Sequence, residues 1–213
     1  MRDIKVILAS GSPRRRELLG QIGIEPEVRP SRVQEQVTSA VPEDVVMELS
    51  AQKAEDVAAS APAGTLILGA DTVVAVDGEI LGKPVSHEDA RRMINLIQGR
   101  SHQVYTGVTL IYKGEEGSRG STFAEKTEVL VYPMTEEEIE DYAWSQEPVD
   151  KAGAYGIQGR FAAYIQGIHG DYNNVVGLPV GRVWQEWKRL MEEDGGPEIS
   201  DTVTEKREET QGD

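Results

Sequence analysis

The chain has 213 residues, 38% of them hydrophobic, which is enough to build one large domain or two small lobes that share a core. It contains no cysteine, so disulfides and thiolate metal sites are excluded. Its formal net charge of −15 at pH 7 argues against nucleic acid as the main partner.

The two ends of the sequence add further expectations. The apolar run near the start, Ile4 to Ala9, is too short for a signal sequence or a membrane span, so we expect a cytoplasmic protein with no membrane contact. At the other end, residues 192–213 hold nine acids against two basic residues and few apolar ones. We therefore expect one domain over residues 1–191 and a disordered acidic tail over residues 192–213.

The first predicted strand, Lys5 to Ala9, is followed by a loop of small residues that starts at Ser10 and by a helix that starts at Pro13. Arg14 and Arg15 lie in the first turn of this helix. Cations there oppose the helix dipole, whereas the backbone N–H groups of a helix start attract anions. An anion bound between the arginines and the helix start would explain the arrangement, and a solvated basic helix start is the alternative.

A second helix is predicted from Pro42 to about Ala59, after an irregular segment that spans Glu25 to Gln36. Val46, Leu49 and Lys53 fall on one face of this helix. A lysine in line with an apolar face either extends along that face to solvent or points into a site. The helix alone leaves both possibilities open.

The stretch Thr65 to Pro84, TLILGADTVVAVDGEILGKP, reads as a buried strand that contains the acid Asp71. A lone acid in an apolar run is costly unless it is paired, hydrogen-bonded or bound to a cation. Asp77-Gly78 predicts a hairpin that would bring Lys83 back toward the level of Asp71. An acid and a lysine brought together in this way suit a metal-bound phosphate substrate. The alternative is a structural acid that caps a turn and a surface lysine.

The second half of the chain alternates helices and strands around two polar features. His102 could be a base or a ligand, but a lone histidine is more often structural. The loop Asp150 to Gly159, DKAGAYGIQG, indicates close approach of a planar or phosphorylated ligand, with an ordinary glycine-rich turn as the alternative. The predicted helices are 86–98, 135–145 and 180–191, and the predicted strands are 103–112, 122–132 and Phe161 to Ile168.

The sequence has no Walker loop and no Rossmann glycine triplet, and it suggests no Ser-His-Asp arrangement. What remains is scattered basic residues, acids at strand ends and glycine loops. This pattern fits hydrolysis of a phosphate ester or anhydride with a divalent cation held by carboxylates. Mg²⁺ prefers one or two carboxylates together with substrate phosphates, and it would neutralise phosphate charge and help to generate the nucleophilic water.

Six motifs, in the family's order, resemble the Maf family of nucleoside triphosphate pyrophosphatases, also described as septum-formation inhibitors. The resemblance covers Ile4 to Leu190. It implies an α/β fold in which a mixed twisted β-sheet with flanking helices forms two lobes around a central cleft, as in the inosine-triphosphatase group, and it implies a homodimer. The motifs are ILASGSPRRRELL (7–19), LGADTVV (68–74), LGKP (81–84), GRSHQVYTGV (99–108), DKAGAYGIQG (150–159) and NVVGLPV (174–180).

The resemblance also implies an activity and roles for individual residues. The reaction is cleavage of a nucleoside triphosphate between its α- and β-phosphates, with Mg²⁺ or Mn²⁺, to give the monophosphate and pyrophosphate. Asp71 is the implied catalytic acid/base and, with Glu35, a metal ligand. Substrate choice is implied for Arg14, Thr72 and Gln158, and phosphate contact for Ser10, Arg15, Lys53 and Lys83.

The loop sequence GAYGIQG (153–159) resembles the branch of the family that acts on dTTP and UTP. The amide of Gln158 can donate and accept at once, so it can read the imide edge of uracil or thymine. Gly156 and Gly159 on either side are expected to let a flat ring approach the backbone.

Two other functions stay open at this point. One is a non-catalytic nucleotide-binding regulator of septum formation, which would tolerate loss of the acid; this sequence keeps Asp71 and Lys83, which favours an enzyme. The other is the same chemistry on purine or 7-methyl-GTP substrates, whose branch tends to have a glutamate in place of Gln158. The expected physiological role is house-cleaning of nucleotides or a link to cell division.

Overall fold

The computed structural model describes residues 4–192, and a mixed sheet of seven strands organises them. The strands are β1 Lys5–Leu8, β2 Glu27–Val28, β3 Thr65–Val76, β4 Glu79–Leu81, β5 Ser101–Lys113, β6 Ser118–Val131 and β7 Ile165–His169. Their order in the sheet is β2-β1-β3-β5-β6-β7, and β4 pairs with β3 off this path. The predicted α/β class with a mixed sheet is confirmed.

Helices flank the sheet throughout the described part of the chain. The α-helices are α1 Pro13–Gln21, α2 Pro42–Ala58, α3 His87–Ile97, α4 Glu136–Ala143, α5 Tyr172–Val176 and α6 Val180–Glu192. Three short 3-10 helices are Pro148–Asp150, Ala152–Ala154 and Arg160–Tyr164. None of the helices within residues 4–192 has the length and apolar character needed to cross a membrane.

The long central strand β3 joins the parallel and antiparallel parts of the sheet. It runs parallel to β1 and antiparallel to β5, and it turns back into β4 through Asp77 and Gly78. These two residues have φ values of 50° and 82°, the pair of positive values that a two-residue hairpin of type I′ requires. The predicted hairpin is therefore confirmed.

The first strand shows that the sheet is buried on both faces. Val6 and Leu8 belong to the larger core cluster, which includes α3 and α6, whereas Ile7 and Ala9 pack with residues of α2. Successive side chains of a strand point to opposite faces. A continuous apolar run is therefore the pattern expected of a strand covered on both sides.

Helix α2 lies so close to the sheet that two glycines are required beneath it. A Cβ atom on Gly69 would lie 2.3 Å from the carbonyl oxygen of Ser50, and one on Gly107 would lie 2.0 Å from that of Val46. Real Cβ atoms do not approach backbone this closely. The helix and the two central strands are thus in direct backbone contact.

One predicted strand is partly wrong. Phe161 to Ile168 is predicted as a single strand, but its first half belongs to the 3-10 helix Arg160–Tyr164 and only the second half joins the sheet as β7. The Glu147 carboxylate accepts hydrogen bonds from the backbone N–H groups of Arg160 and Phe161. It therefore caps the 3-10 helix from a distant part of the chain. The predicted acidic tail, apart from Glu192 at the end of α6, lies outside the described residues.

The contact between α2 and the sheet predicts that Gly107→Ala destabilises the protein. The new methyl group must displace the helix backbone, and overpacking of this kind costs about 1–3 kcal/mol. For a domain of this size each kcal/mol lowers Tm by about 2–4 °C, so we expect a fall of roughly 2–12 °C in thermal unfolding.

The control is Gly167→Ala in β7, because a Cβ atom there meets nothing within 4 Å. We expect the control to keep the Tm of the unmodified protein. Equal Tm values for the two variants would show that α2 can move away from the sheet without cost.

Candidate active site

A cavity of about 690 Å³ opens beside the end of β1 and the middle of β3. The parallel register that pairs Leu8 with Leu68 places the loop after β1 next to the polar part of β3. All nine residues to which the sequence analysis assigns a role line this cavity: Ser10, Arg14, Arg15, Glu35, Lys53, Asp71, Thr72, Lys83 and Gln158. The fold thus brings together residues from the first helix, the second helix, the central strand and the glycine loop.

The acid of β3 is paired with the lysine of α2. The Lys53 ammonium donates to Asp71 and lies 3.0 Å from the Glu35 carboxylate, so it bridges two acids. The side chains of Lys53 and Asp71 are each 16% exposed, whereas that of Glu35 is 49% exposed. The costly acid in the apolar strand is therefore compensated by a charge, and Lys53 points into the cavity.

Glu35 is delivered to this pair by a strap, residues 31–41, that runs along α2 without regular secondary structure. Gln52 of α2 holds the centre of the strap. Its side-chain oxygen accepts from the Gln36 N–H at 2.9 Å, and its side-chain nitrogen donates to the Gln36 carbonyl at 2.6 Å. Since Gln36 follows Glu35 directly, this clamp fixes the backbone beside the carboxylate that contacts Lys53.

Three acids of α2 hold the rest of the strap with the same four-residue spacing. Hydrogen bonds from the Ser31 hydroxyl and the Arg32 N–H lower the pKa of Asp56, and those from the hydroxyl and N–H of Thr38 lower the pKa of Glu48. The third acid, Asp44, accepts from the Ser39 hydroxyl. Together with Gln52 the three acids form a polar ladder along one side of the helix: Asp44, Glu48, Gln52 and Asp56.

Arg15 is fixed by three hydrogen bonds from its guanidinium group. It donates to the Gly177 carbonyl at 2.9 Å, to the Ser10 hydroxyl at 3.0 Å and to the Thr72 hydroxyl at 3.0 Å. Burial lowers the pKa of Arg15, the Asp71 carboxylate raises it, and the neighbouring Arg14 lowers it. The group is thus a positive charge held in one orientation at the floor of the cavity.

A chain of hydroxyl groups sets the direction of one of these bonds. Thr106 donates to the Asn174 carbonyl at 3.1 Å and lies 2.9 Å from the Thr72 hydroxyl. Because the Thr106 proton is used on Asn174, Thr72 donates to Thr106 and keeps a lone pair for Arg15. The cross-strand pair of threonines therefore orients the arginine.

The mouth of the cavity is spanned by an ion pair between α1 and the glycine loop. Arg14 lies 3.2 Å from the Asp150 carboxylate, and Lys151 lies 2.7 Å from the same residue. Lys83 and Gln158 are exposed residues of the lining. Several cations thus surround the opening, which suits an anionic ligand.

The two glycines near Gln158 leave space that side chains of the protein occupy. A Cβ atom on Gly159 would lie 2.2 Å from the Glu147 carboxylate, and one on Gly156 would lie 2.7 Å from the side chain of Lys151. The protein's own side chains therefore fill the space that these glycines leave. Both glycines also line the cavity, so the approach of a flat ring to this backbone stays a prediction.

His102 lies beneath the same loop and is fully buried. Burial lowers the pKa of His102 to about 4, so the ring is neutral at neutral pH. Its Nε2 lies 2.8 Å from the Tyr155 hydroxyl, with the two rings edge to face at 5.2 Å. These contacts agree with a structural histidine that supports the loop from below.

Among the carboxylates of the cavity, those of Glu35 and Asp71 lie against the same cation and are the candidate donors for a metal ion. No group of three or more His, Cys, Asp or Glu side chains suited to a metal occurs within residues 4–192. Both acids nevertheless contact a single cation, the Lys53 ammonium, so their geometry favours positive charge between them. Mg²⁺ commonly uses one or two carboxylates and completes its shell with substrate phosphates and water. The donor set fits a hard divalent cation that binds together with phosphates.

Sequence reasoning misses three residues that build the site: Gln52, Thr106 and Glu147. The four-residue spacing of Gln52 with the acids of the polar ladder is visible in the sequence. A row of polar residues on a helix, however, ordinarily indicates a solvated face. Thr106 and Glu147 offer no local signal, because their partners are distant along the chain.

Residues 5–190 match the family described as Maf-like protein. A protein of Agathobacter rectalis named dTTP/UTP pyrophosphatase is 54% identical over 199 residues, which cover 87% of this chain and 97% of the relative. Proteins with the same name from Lachnoclostridium phytofermentans and Carboxydothermus hydrogenoformans are 50% and 51% identical, cover 87% and 86% of this chain, and are covered over 95% and 97% of their own length.

Two solved structures match part of the chain. The Ham1 protein of Staphylococcus aureus has a TM-score of 0.41 and 14% identity, and the match covers 60% of this chain and 71% of that one. A HAM1 protein from Coxiella burnetii has a TM-score of 0.39 and 11% identity, with coverage of 60% and 73%.

The polar ladder predicts that Gln52→Ala loosens the strap. The change removes two hydrogen bonds, each worth about 0.5–1.5 kcal/mol, so local opening becomes roughly tenfold more frequent. The strap contains a trypsin site after Arg32. We expect cleavage there to accelerate about tenfold in limited proteolysis, with little change in the Tm of the whole domain.

Glu55→Ala is the matched control, because Glu55 is an exposed residue of the same helix outside the ladder. Equal cleavage rates after Arg32 in the two variants would refute the ladder as the support of the strap.

Proposed function

The chain belongs to the Maf-like protein family, and from that premise we propose that it is a nucleoside triphosphate pyrophosphatase that hydrolyses dTTP and UTP to the monophosphate and pyrophosphate. The observation that carries the proposal is a single cavity that contains the Asp71–Lys53 pair together with further cations at Arg14, Arg15 and Lys83. A triphosphate needs this combination of a carboxylate near the reacting phosphorus and fixed positive charge along the phosphates.

In the proposed mechanism, water attacks the α-phosphorus and the bond from this phosphorus to the oxygen that bridges to the β-phosphate breaks. Asp71 orients the water and accepts its proton. Lys53 holds the Asp71 carboxylate in place and contacts the phosphates. Pyrophosphate leaves with the bond electrons, and its negative charge is met by Lys83 and Arg14 at the mouth.

Arg15 stabilises charge on the phosphates without having to reorganise. Its three hydrogen bonds to the protein hold the guanidinium before a ligand arrives. A preorganised charge in a partly dehydrated site stabilises a transition state more than a mobile surface charge does. Ser10 and Thr72, as partners of Arg15, contribute to phosphate binding and to the position of the substrate.

A divalent cation, Mg²⁺ or Mn²⁺, belongs to the proposal. Glu35 and Asp71 would hold it together with the substrate phosphates. When bound, it supplies neutralisation of phosphate charge and activation of water. The strap then has a functional consequence, because it determines whether Glu35 is present at the site.

Base selection is assigned to Gln158. A uracil or thymine edge presents a carbonyl, an N–H and a second carbonyl, and a primary amide can match the N–H and one carbonyl together. Cytosine replaces the N–H by an acceptor and one carbonyl by an amine, so the same pose leaves polar groups unpaired. Each unpaired buried group costs about 1–3 kcal/mol, which gives roughly tenfold or greater discrimination.

Four further features complete the proposal. A homodimer and a role in house-cleaning or cell division rest on the family resemblance. A cytoplasmic location rests on the cysteine-free composition. A catalytic domain over residues 1–191 rests on the position of the motifs.

We predict that Asp71→Asn reduces turnover of UTP and dTTP by about a hundredfold to ten-thousandfold, the usual contribution of a general acid/base. The measurement is pyrophosphate release with Mg²⁺ from a panel of nucleoside triphosphates. Asp77→Asn is the control, because Asp77 lies at the exposed hairpin at the end of β3 and pairs with Arg100. Turnover by Asp71→Asn close to that of the control would remove Asp71 from the mechanism.

We also predict that the unmodified protein prefers UTP and dTTP over CTP and purine triphosphates, and that Gln158→Glu loses activity on UTP. A carboxylate cannot donate to a base carbonyl, whereas the amide can. The same panel measures both effects, and the control is Gln166→Glu, because Gln166 is an exposed residue of β7. If Gln158→Glu kept the full preference for UTP, base reading by this residue would be wrong.

A further inference from the structure

We propose that Glu147 is a positioning residue for substrate selection, which acts by holding the turn that carries Gln158. The inference rests on the proposed function, because it assumes that Gln158 reads the base. Glu147 is half-buried behind the loop. The cavity lining within the described residues includes Gly156, Gln158 and Gly159 but does not include Glu147. Any influence on the substrate must therefore pass through the loop.

Gln158 occupies the third position of a β-turn. The Gly159 N–H donates to the Gly156 carbonyl at 3.1 Å, which closes the turn Gly156-Ile157-Gln158-Gly159. Ile157 points into the core, whereas Gln158 is exposed. The direction of the Gln158 amide therefore depends on how firmly the backbone of this turn is held.

The carboxylate of Glu147 is connected to both ends of the turn. On the far side, Oε2 accepts from the Arg160 N–H at 2.8 Å and Oε1 accepts from the Phe161 N–H at 3.4 Å. On the near side, Oε1 accepts from the Tyr142 hydroxyl at 2.9 Å, and the Gly156 N–H donates to that hydroxyl oxygen at 3.3 Å. One acidic group thus fixes the residues that enter and leave the turn.

The loop is shaped to admit this carboxylate. A Cβ atom on Gly159 would lie between 2.2 and 2.5 Å from the carboxyl atoms of Glu147. No side chain at this position is compatible with the observed contacts. The contact with Glu147 is therefore sufficient to explain the glycine that follows Gln158.

The two cations near Glu147, Lys151 and Arg160, bind other groups and do not pair with its carboxylate. The Lys151 ammonium donates to the Glu147 carbonyl at 2.6 Å and pairs with Asp150, and the Arg160 guanidinium pairs with Asp141 at 2.5 Å. Burial, assisted by the Glu147 carboxylate, raises the pKa of Tyr142 well above its usual range, so the phenol keeps its proton and donates. The carboxylate therefore acts as an acceptor for neutral donors of the loop and of α4.

Glu147→Gln keeps the shape of the side chain but replaces one acceptor oxygen by a donor, so it separates the hold on the two ends of the turn. The amide keeps one oxygen for Tyr142 but presents its NH₂ group to the Arg160 N–H, which removes the hold on the far end of the turn. We expect the ratio of kcat/KM for UTP to kcat/KM for CTP to fall about tenfold. Activity on UTP falls more than activity on CTP, because only the uracil edge is matched by a correctly held Gln158 amide. The control is Glu140→Gln on α4, which is expected to keep the ratio because Glu140 pairs with Arg91 on the surface.

A double-mutant cycle with Gln158→Ala tests whether the effect passes through Gln158. In the Gln158→Ala background, Glu147→Gln is expected to change the UTP/CTP ratio by less than twofold. An unchanged ratio in Glu147→Gln alone, an equal loss on both substrates, or the same tenfold fall in both backgrounds would overturn the inference. Tyr142→Phe removes the link to Gly156 and is expected to lower the ratio by a smaller factor, which provides a second test if Glu147→Gln does not fold.

The unmodified protein and Gln158→Ala distinguish failure of this inference from failure of the proposed function. No pyrophosphate release from any nucleotide would overturn the proposed enzyme, and the inference with it. Release without a preference for UTP, or a preference that survives in Gln158→Ala, would overturn base reading by Gln158 and therefore the positioning role too. A preference that depends on Gln158 but not on Glu147 would overturn this inference alone.

Discussion

The direct packing of α2 on the sheet is the constraint on which the site depends. Gly107 is the cross-strand partner of Asp71, and the helix backbone at Val46 lies where a Gly107 side chain would be. A helix held at this distance places Lys53, about two turns further along, against an acid in the middle of the sheet. The electrostatic cost of Asp71 in an apolar strand is thus compensated by Lys53 of α2. The position of this helix depends on the absence of side chains at Gly69 and Gly107.

The same helix gives the site a rigid part and a more mobile part. Asp71 and Lys53 belong to elements packed backbone to backbone, which cannot separate without loss of the core. Glu35 belongs to the strap, which is held to α2 by hydrogen bonds near the surface that are individually worth about 0.5–1.5 kcal/mol. Local opening of the strap is therefore less costly than global unfolding, and it would withdraw one carboxylate from the site while the other stays in place.

The sequence is informative where a signal acts over a few residues. Asp77-Gly78 forms the predicted hairpin, since the turn depends mainly on the φ values that these residues tolerate. Local motifs and the family resemblance identify the nine candidate residues, and all nine line one cavity. The strand predicted from Phe161 to Ile168 is partly wrong because Glu147, outside that segment, caps a 3-10 helix. Gln52 is missed for the same reason: its role depends on a strap that folds back along the helix.

The ion pair between Arg14 and Asp150 connects α1 with the glycine loop across the cavity, and a phosphate of a bound substrate can replace it. Arg14 on α1 and Asp150 at the glycine loop are 30% and 61% exposed, and a pair this accessible contributes at most about 1 kcal/mol. A triphosphate brings several negative charges to the same place, so Arg14 can exchange Asp150 for a phosphate at little cost. The proposed catalytic side, which α2 holds, and the proposed base-reading side, which Glu147 holds, would then be joined through the substrate.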